Sequence, residues 1–407
     1  MSTAETPVAS QAGTSPDRFG DIFARIAETA PERDSGRRLP HDLVGELKRA
    51  GFGALRVPAE YGGSGLTVIE LTELLLDLAA ADSNLTQILR AHFLYTEALV
   101  HAPDSEGRTR WLRRIGAGEL LGGAYTERSA TTVPRFSTTV TERDGRRIVD
   151  GEKYYSTGSL YADWIITAGE APSGVTHVIV PAGAPGVTLV DDWNGFGQRL
   201  TASGTTRFDA VDITDTPQLP DGVTPGSYGT SLAQFWHIAT LAGIARRLHT
   251  DLLDYVRQRT RYFSQGAGVV PRADAVIQSV VGEVSTARYV AETLARRIGA
   301  ALADLDTAMR ADAATEELFD AVETEVYRAQ VAVIDTVLTA AGRAFDVGGA
   351  SAVDGGRAWD RHWRNARTLA SHNPTPHRLV SIGDHELNGT SPFRAWLSGI
   401  DLRDRSS

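Results

Sequence analysis

The order of periodicities along the chain predicts an α+β fold: an N-terminal helical domain, a central β-barrel or sandwich, and a C-terminal four-helix bundle. Three observations carry this prediction. Apolar residues recur at spacings of three and four up to about Glu119; the period drops to two from Leu120 to about Val211; long helical stretches return from Thr230. The expected divisions are a disordered lead over 1–16, helices over 17–119, β-structure over 120–229 and a bundle over 230–407.

Met1 to Asp17 is small and polar with no apolar core, so it reads as a disordered lead and not as a signal peptide. Leu71, Leu74, Leu75, Leu78 and Ala79 then form one apolar stripe. Asp82-Ser83-Asn84 interrupts it, and Asn84 is expected to cap a second helix running through Leu85, Leu89 and Phe93. Val57 to Gly65 is too rich in glycine for a regular element. In the β region, Phe136–Thr141 and Arg147–Val149 flank Asp144-Gly145, a hairpin signal. Further strands are expected at Trp164–Thr167, Val175–Val180, Val187–Val190 and Thr205–Val211. Asp215 to Gly229, with three prolines and three glycines, reads as a linker. After it, Leu232, Phe235, Trp236, Ala239, Leu241, Ala242, Ala245 and Leu248 make a helix apolar over a wide face, buried in a core or between subunits. Helices over Arg272–Arg310 and Ala313–Phe345, and a shorter one from Trp359, complete the bundle.

Composition narrows the function. The 407 residues are 42% hydrophobic and 23% charged, ordinary for a globular protein, and a net charge of −10 with dispersed basic residues argues against nucleic acid. There is no cysteine, which excludes disulfides and thiolate metal sites and fits a reducing cytoplasm. No run of 18 apolar residues suggests a membrane span. Gly62-Gly63-Ser64-Gly65 lacks the strand and the Lys-Ser/Thr ending of a phosphate loop, and no Gly-x-Ser-x-Gly elbow marks a serine hydrolase. His92, His372 and His377 have no metal-ligand spacing, so no metal is expected.

Local motifs add a resemblance. Leu39-Pro40 to Lys48, Gly51-Phe52, Pro58 to Gly63, Ala124-Tyr125-Thr126-Glu127, Gly151 to Gly158 and Ala162-Asp163-Trp164 stand in the order and at the intervals of the acyl-CoA dehydrogenase superfamily. The likeness covers the chain after its first fifteen or so residues. One feature departs from it: dehydrogenases need a carboxylate to remove an α-proton, and no Asp or Glu occurs between Asp360 and Asp384. Trp363 to Thr368 and Ser371-His372-Asn373-Pro374 are instead similar to the superfamily's flavin-dependent monooxygenases. These include dibenzothiophene and sulfone monooxygenases and amine or amino-sugar N-oxygenases. Tyr154 to Gly158 and Asp192 to Arg199 lean toward the sulfur-oxidising members.

The resemblance implies a two-component enzyme. A separate reductase supplies reduced FMN, O2 gives a flavin C4a-hydroperoxide, and one oxygen passes to a small organic substrate at sulfur or nitrogen. It also implies a homotetramer. Tyr125, Thr126, Ser156, Thr157, Trp193, Asn373 and Arg261 (or Arg259) are its flavin contacts, with Ser156 near flavin N5. His92 and His372 are its catalytic histidines, and Phe93, Tyr95 and Trp193 its substrate contacts. A missing glutamine before Gly348-Gly349 favours FMN, with FAD the alternative. A helix C-terminus before Asn373-Pro374 would favour a protonated His372, able to donate to the oxygen being transferred. The competing readings are a hydrogen-bonded packing histidine for His92, a helix cap for His372, an acyl-CoA dehydrogenase with its base elsewhere, and a non-catalytic scaffold.

Overall fold

The computed structural model describes residues 16–128, 136–220, 223, 226–263, 266 and 269–392. The lead expected over 1–16 thus falls, up to residue 15, outside the described residues. Helices α1 (Gly20–Ser35), α2 (His41–Arg49), α3 (Val68–His101) and α4 (Glu106–Gly116) form the first layer. A capping box starts α3: Thr67 accepts the Glu70 N–H at 3.2 Å, and the Glu70 carboxylate accepts the Thr67 N–H at 2.7 Å.

The expected break at Asp82-Ser83-Asn84 is a kink inside α3, where Asp82 adopts φ −160 and ψ 111. Asp82, and not Asn84, caps the second half, because its Oδ1 accepts the Asn84 N–H at 3.0 Å. The other oxygen accepts from Arg33 of α1 at 2.7 Å in a buried pair. Asn84 is thereby free to bond elsewhere. Its Oδ1 accepts the Leu200 N–H at 3.2 Å and ties α3 to the β layer.

That layer is one curled sheet of β1 (Leu121–Ala124), β2 (Thr139–Arg143), β3 (Arg146–Lys153), β4 (Trp164–Ala171), β5 (Gly174–Pro181), β6 (Val187–Leu189) and β7 (Thr206–Asp212). Its order is β1-β4-β2-β3-β7-β6, with β5 antiparallel along the other edge of β4. The β2–β3 hairpin turns on Asp144 (φ 53) and Gly145 (φ 73), the left-handed pair that a two-residue turn requires. Strand β1 pairs parallel with β4 in a stretch whose glycines hid it from the sequence reading. Gly122 is needed there, because a Cβ would lie 2.7 Å from the Ser159 backbone.

The bundle comprises α5 (Gly226–Gln258), α6 (Ala275–Arg310), α7 (Glu316–Arg343), α8 (Asp360–Ala370) and α9 (Thr375–Asn388). The start of α5 lies four residues inside the stretch read as linker. Leu232, Phe235, Trp236, Ala239, Leu241 and Ala242 are all buried, so its wide apolar face belongs to the core of this chain. Full burial of each large apolar side chain contributes roughly 1.5–3 kcal/mol, which makes α5 the axis against which α3, α6 and α7 pack. Among the described residues no helix is long and apolar enough to cross a membrane.

Candidate active site

A cavity of about 820 Å³ opens between the helical layers and the sheet. Its helical wall comes from Gln87, Arg90, Ala91, Leu94 and Tyr95 of α3, His237 of α5, and Thr368 to His372 at the end of α8. Its β wall comes from Gly123 to Thr126 at the end of β1, Tyr155, Thr157, Trp193, Phe196, Gln198, Thr201 and Ser203.

Two of the sequence motifs build the β wall jointly. The Tyr154 N–H donates to the Thr126 carbonyl at 2.7 Å, and beneath them the Lys153 ammonium donates to Glu127 at 2.7 Å. Glu127 also accepts from the hydroxyls and N–H groups of Ser137 and Thr138. Burial alone would push its carboxyl up; Lys153 and these donors outweigh it and bring it down to about 2. Glu127 therefore anchors the wall from behind.

After β3 the chain turns through Tyr155, whose backbone is left-handed. Tyr155 and Thr157 face the cavity, while Ser156 is buried beneath, its Oγ without a partner among the described residues. Of the two, Thr157 lines the cavity and Ser156 does not. Three non-glycine residues with left-handed backbone sit along this wall, Tyr155 (φ 62), Gln198 (φ 49) and Ala202 (φ 48), and such strain collects at functional sites. Trp193 donates its indole N–H to the Gln198 carbonyl at 3.0 Å and meets Tyr155 edge-on. Gly197 lets this loop close on α8, because a Cβ there would lie 2.1 Å from the Arg364 carbonyl.

The hydroxyls of the wall form a directed chain. Thr201 donates to the Gln198 carbonyl at 2.9 Å, so Ser203 must donate to Thr201 at 2.7 Å and Thr157 to Ser203 at 2.7 Å. With its proton so committed, Thr157 presents only acceptor lone pairs to the cavity. The hydroxyls of Tyr95 and Tyr125 bond each other across parallel rings, and burial pushes both phenols up.

Of the expected site residues, Tyr95, Tyr125, Thr126, Thr157, Trp193 and His372 line this cavity. The others lie elsewhere. His92 is fully buried: its Nδ1 accepts the Leu121 N–H at 3.1 Å, so Nε2 carries the proton and donates to the Gly53 carbonyl at 2.8 Å. Both ring nitrogens are thus bonded within the fold, as the packing reading expects. Phe93 packs into the core against Trp236 and Phe52. Asn373 donates to the Gln234 side chain. Arg259 is held by the carbonyls of Arg261 and Val347, and Arg261 is exposed; neither lines the cavity of its own chain.

His372 follows the C-terminus of α8, its N–H donating to the Leu369 carbonyl at 3.1 Å. It lines the cavity with its side chain exposed. The helix end does not keep it protonated: burial, then the charge of Arg90, push it down to about 4, against a bond to Asn373 that raises it. The sequence reading missed His237, whose ring meets that of His372 at 4.8 Å and 65°. Neither nitrogen of His237 has a partner among the described residues, and burial, Arg90 and His372 hold it far below the usual imidazole range. Arg90 was missed as well. Both signals were available as single basic residues inside otherwise apolar helical runs.

The cavity suits a flavin. A flat ring system with an apolar end and a polar, amide-like end matches aromatic walls beside a row of hydroxyls. Gln198 supplies an Oε1 left unsatisfied inside the chain, and Thr157 supplies an acceptor. No carboxylate of the described residues lines the cavity, so the base of an acyl-CoA dehydrogenase is missing from every wall and not only from the end of α8.

Comparison with known proteins agrees. Models of the acyl-CoA dehydrogenase N-terminal, middle and C-terminal domains match residues 22–119, 123–211 and 235–376. A probable FMNH2-dependent monooxygenase, SfnC of Pseudomonas putida, is 26% identical over 93% of this chain and 96% of its own. The methanesulfinate monooxygenase MsuC of Pseudomonas fluorescens superposes with a TM-score of 0.83 at 26% identity, over 93% of this chain and 98% of its own. FMN-bound TdsC of Paenibacillus sp. A11-2 superposes with a TM-score of 0.82 at 25% identity, over 92% and 98%. A carboxylate-free, flavin-shaped cavity inside this architecture agrees with all three: the chain belongs to the acyl-CoA dehydrogenase family, and within it to the flavin-dependent monooxygenases.

Proposed function

We propose that this protein is the oxygenase of a two-component system, taking reduced FMN from a separate reductase and oxygenating a small substrate at sulfur. The observation that carries the reading is the cavity itself, flavin-shaped, aromatic and hydroxyl-lined, with imidazoles where a dehydrogenase needs a carboxylate. The similarity to MsuC, a methanesulfinate monooxygenase, supports sulfur over nitrogen. Bound there, reduced flavin supplies two electrons to O2, so that one oxygen atom goes to a sulfur lone pair and the other leaves as water.

The chain's own residues position and enclose. Thr157, an acceptor only, suits the N5–H that distinguishes reduced from oxidised flavin. Tyr125, Thr126 and Gln198 hold the polar edge, while Trp193, Tyr155 and Phe196 roof the rings and exclude water. His372 and His237, neutral in the free cavity, are placed to donate one N–H each toward the oxygen being transferred. Exposed Arg261 is assigned to a flavin phosphate across a subunit contact, in a homotetramer. The exposed Val276, Tyr289, Leu379 and Val380 on bundle helices support such an assembly, to be read by light scattering. The cytoplasm, where a reductase and reduced flavin are at hand, is the proposed location.

Anaerobic protein with reduced FMN is mixed with 18O2 and a thioether. Oxidised-flavin absorbance is expected to return later than in free solution, with one 18O atom in the sulfoxide. Immediate return without labelled product, or bleaching of FAD-loaded protein by an acyl-CoA, would overturn the reading.

A further inference from the structure

The helical wall of the cavity carries positive charge with nothing to balance it. Arg90 projects from α3 and is half-buried there. Its Nε donates to the Ala233 carbonyl at 3.2 Å, and among the described residues its guanidinium forms no ion pair. Ala233 and His237 lie one turn apart on α5, so the arginine runs beside the helix face that carries His237. His372 closes the same corner, and Arg378 adds its field to both imidazoles. The fully buried arginines, by contrast, each have an acid: Arg33 pairs with Asp82, Arg56 with Glu97 and Arg361 with Asp251.

An arginine taken from water without a counter-charge is costly unless a ligand supplies one. The fork of guanidinium N–H groups left after Nε is satisfied matches two oxygens of one oxyanion. His237 adds an independent observation: a neutral imidazole has one N–H and one lone pair, and here neither meets a partner among the described residues. The same cavity is lined by Tyr95, Leu94 and Leu369, which supply apolar surface.

From this juxtaposition we infer that the substrate carries an acidic group, a carboxylate, sulfinate or sulfonate on a small apolar body, and that Arg90 binds this group with His237 and His372 beside it. The inference rests on the monooxygenase reading for the place of the flavin, which takes the hydroxyl-rich β wall and leaves the helical wall to the substrate. The acid group fixes which end of the substrate faces away from the flavin and so which atom is oxygenated. Its arrival also changes the histidines. Burial and the Arg90 charge hold both imidazoles down in the free cavity, and an anion offsets the second of these causes and so raises both.

The probes are matched pairs of acid and neutral molecule of similar shape, benzenesulfinate against methyl phenyl sulfoxide and benzoate against benzamide. Each is titrated calorimetrically into full-length protein holding oxidised FMN, in two buffers of different ionisation enthalpy. The acids are expected to bind at least about tenfold more tightly than their neutral partners. Arg90→Gln should erase that preference and Arg90→Lys should restore part of it, with FMN and riboflavin affinities unchanged in both. Equal binding of acid and neutral molecule to the natural protein would overturn the inference. So would an Arg90→Gln protein that loses FMN but keeps riboflavin, since Arg90 would then hold the cofactor phosphate. Thermal melts of both variants confirm that they fold. No oxygen chemistry enters the titration, so its failure leaves the monooxygenase reading standing, and a failed 18O transfer leaves the anion preference to be measured by itself.

Discussion

His92 and His237 are both histidines, both almost wholly buried, and both held well below the usual imidazole range chiefly by that burial. What separates them is who satisfies the ring. His92 is clamped by two backbone groups, the Leu121 N–H and the Gly53 carbonyl, from two different layers of the molecule. His237 is satisfied by nothing among the described residues and faces a cavity. A buried polar ring whose bonds are complete belongs to the fold. One whose bonds are open is retained at a cost, and the return has to come from a ligand.

The largest expected effects set these two residues against each other. His92→Leu strands an N–H and a carbonyl in the interior, at about 1–3 kcal/mol each, so its melting temperature should fall sharply. His237→Leu removes an unsatisfied group and replaces it with an apolar one of similar size, so its melting temperature should hold or rise. Product formed per reduced FMN should nonetheless fall by about 10²-fold, the scale of losing a positioned proton donor. A stable His92→Leu, or a His237→Leu that keeps full turnover, would collapse the distinction.

A second contrast concerns carboxylates. The cavity has none, while buried ones brace the layers around it, and acid should therefore strike the scaffold. Glu127, held at about 2 by Lys153 and its hydroxyl partners against burial, has a folded value below its ordinary one of about 4.5. A group depressed in this way contributes its stability above the unfolded value and loses it as pH falls toward the folded one. Stability should thus decline from about pH 5 downward by on the order of 2 kcal/mol from this group. Melting curves between pH 6 and pH 3 should show the Glu127→Gln protein, less stable at neutral pH, closing the gap on the natural protein as pH drops. A constant gap would mean that Glu127 is not charged in the fold.

The same distinction explains how far the sequence could be read. Periodicity revealed the helices, the hairpin at Asp144-Gly145 and most strands, because burial of one face writes itself into spacing. It failed at β1, where Gly122 answers to the close approach of Ser159 and not to strand propensity. Motif likeness located the β wall, since Tyr125, Thr126, Thr157 and Trp193 lie in short segments, the first two of them joined by one backbone bond. It expected His92, Ser156 and Asn373 in the site, and none of them lines the cavity, because likeness gives position along the chain and not the direction of a side chain. Arg90 and His237 went unread for the opposite reason. They belong to no motif, and only packing α3 against α5 shows that two basic residues 147 positions apart share one corner with no acid between them.

The smallest effect tests the direction of the hydroxyl chain. If Thr157 presents only an acceptor because Ser203 and Thr201 commit its proton, it should favour a flavin that carries N5–H over one that does not. Thr157→Val removes the acceptor and keeps the shape. Affinity for reduced FMN should weaken about tenfold, or about 1.4 kcal/mol, while that for oxidised FMN stays within about twofold, which shows as a more negative potential of the bound flavin. Thr157→Ser should keep the natural values. Ser203→Ala frees the Thr157 proton to point into the cavity, so it should weaken reduced-flavin binding with Thr157 still in place. Were Ser203→Ala to leave the potential unmoved while Thr157→Val shifts it, the threonine would act by contact alone, and the order of donors along the wall would carry no meaning for the cofactor.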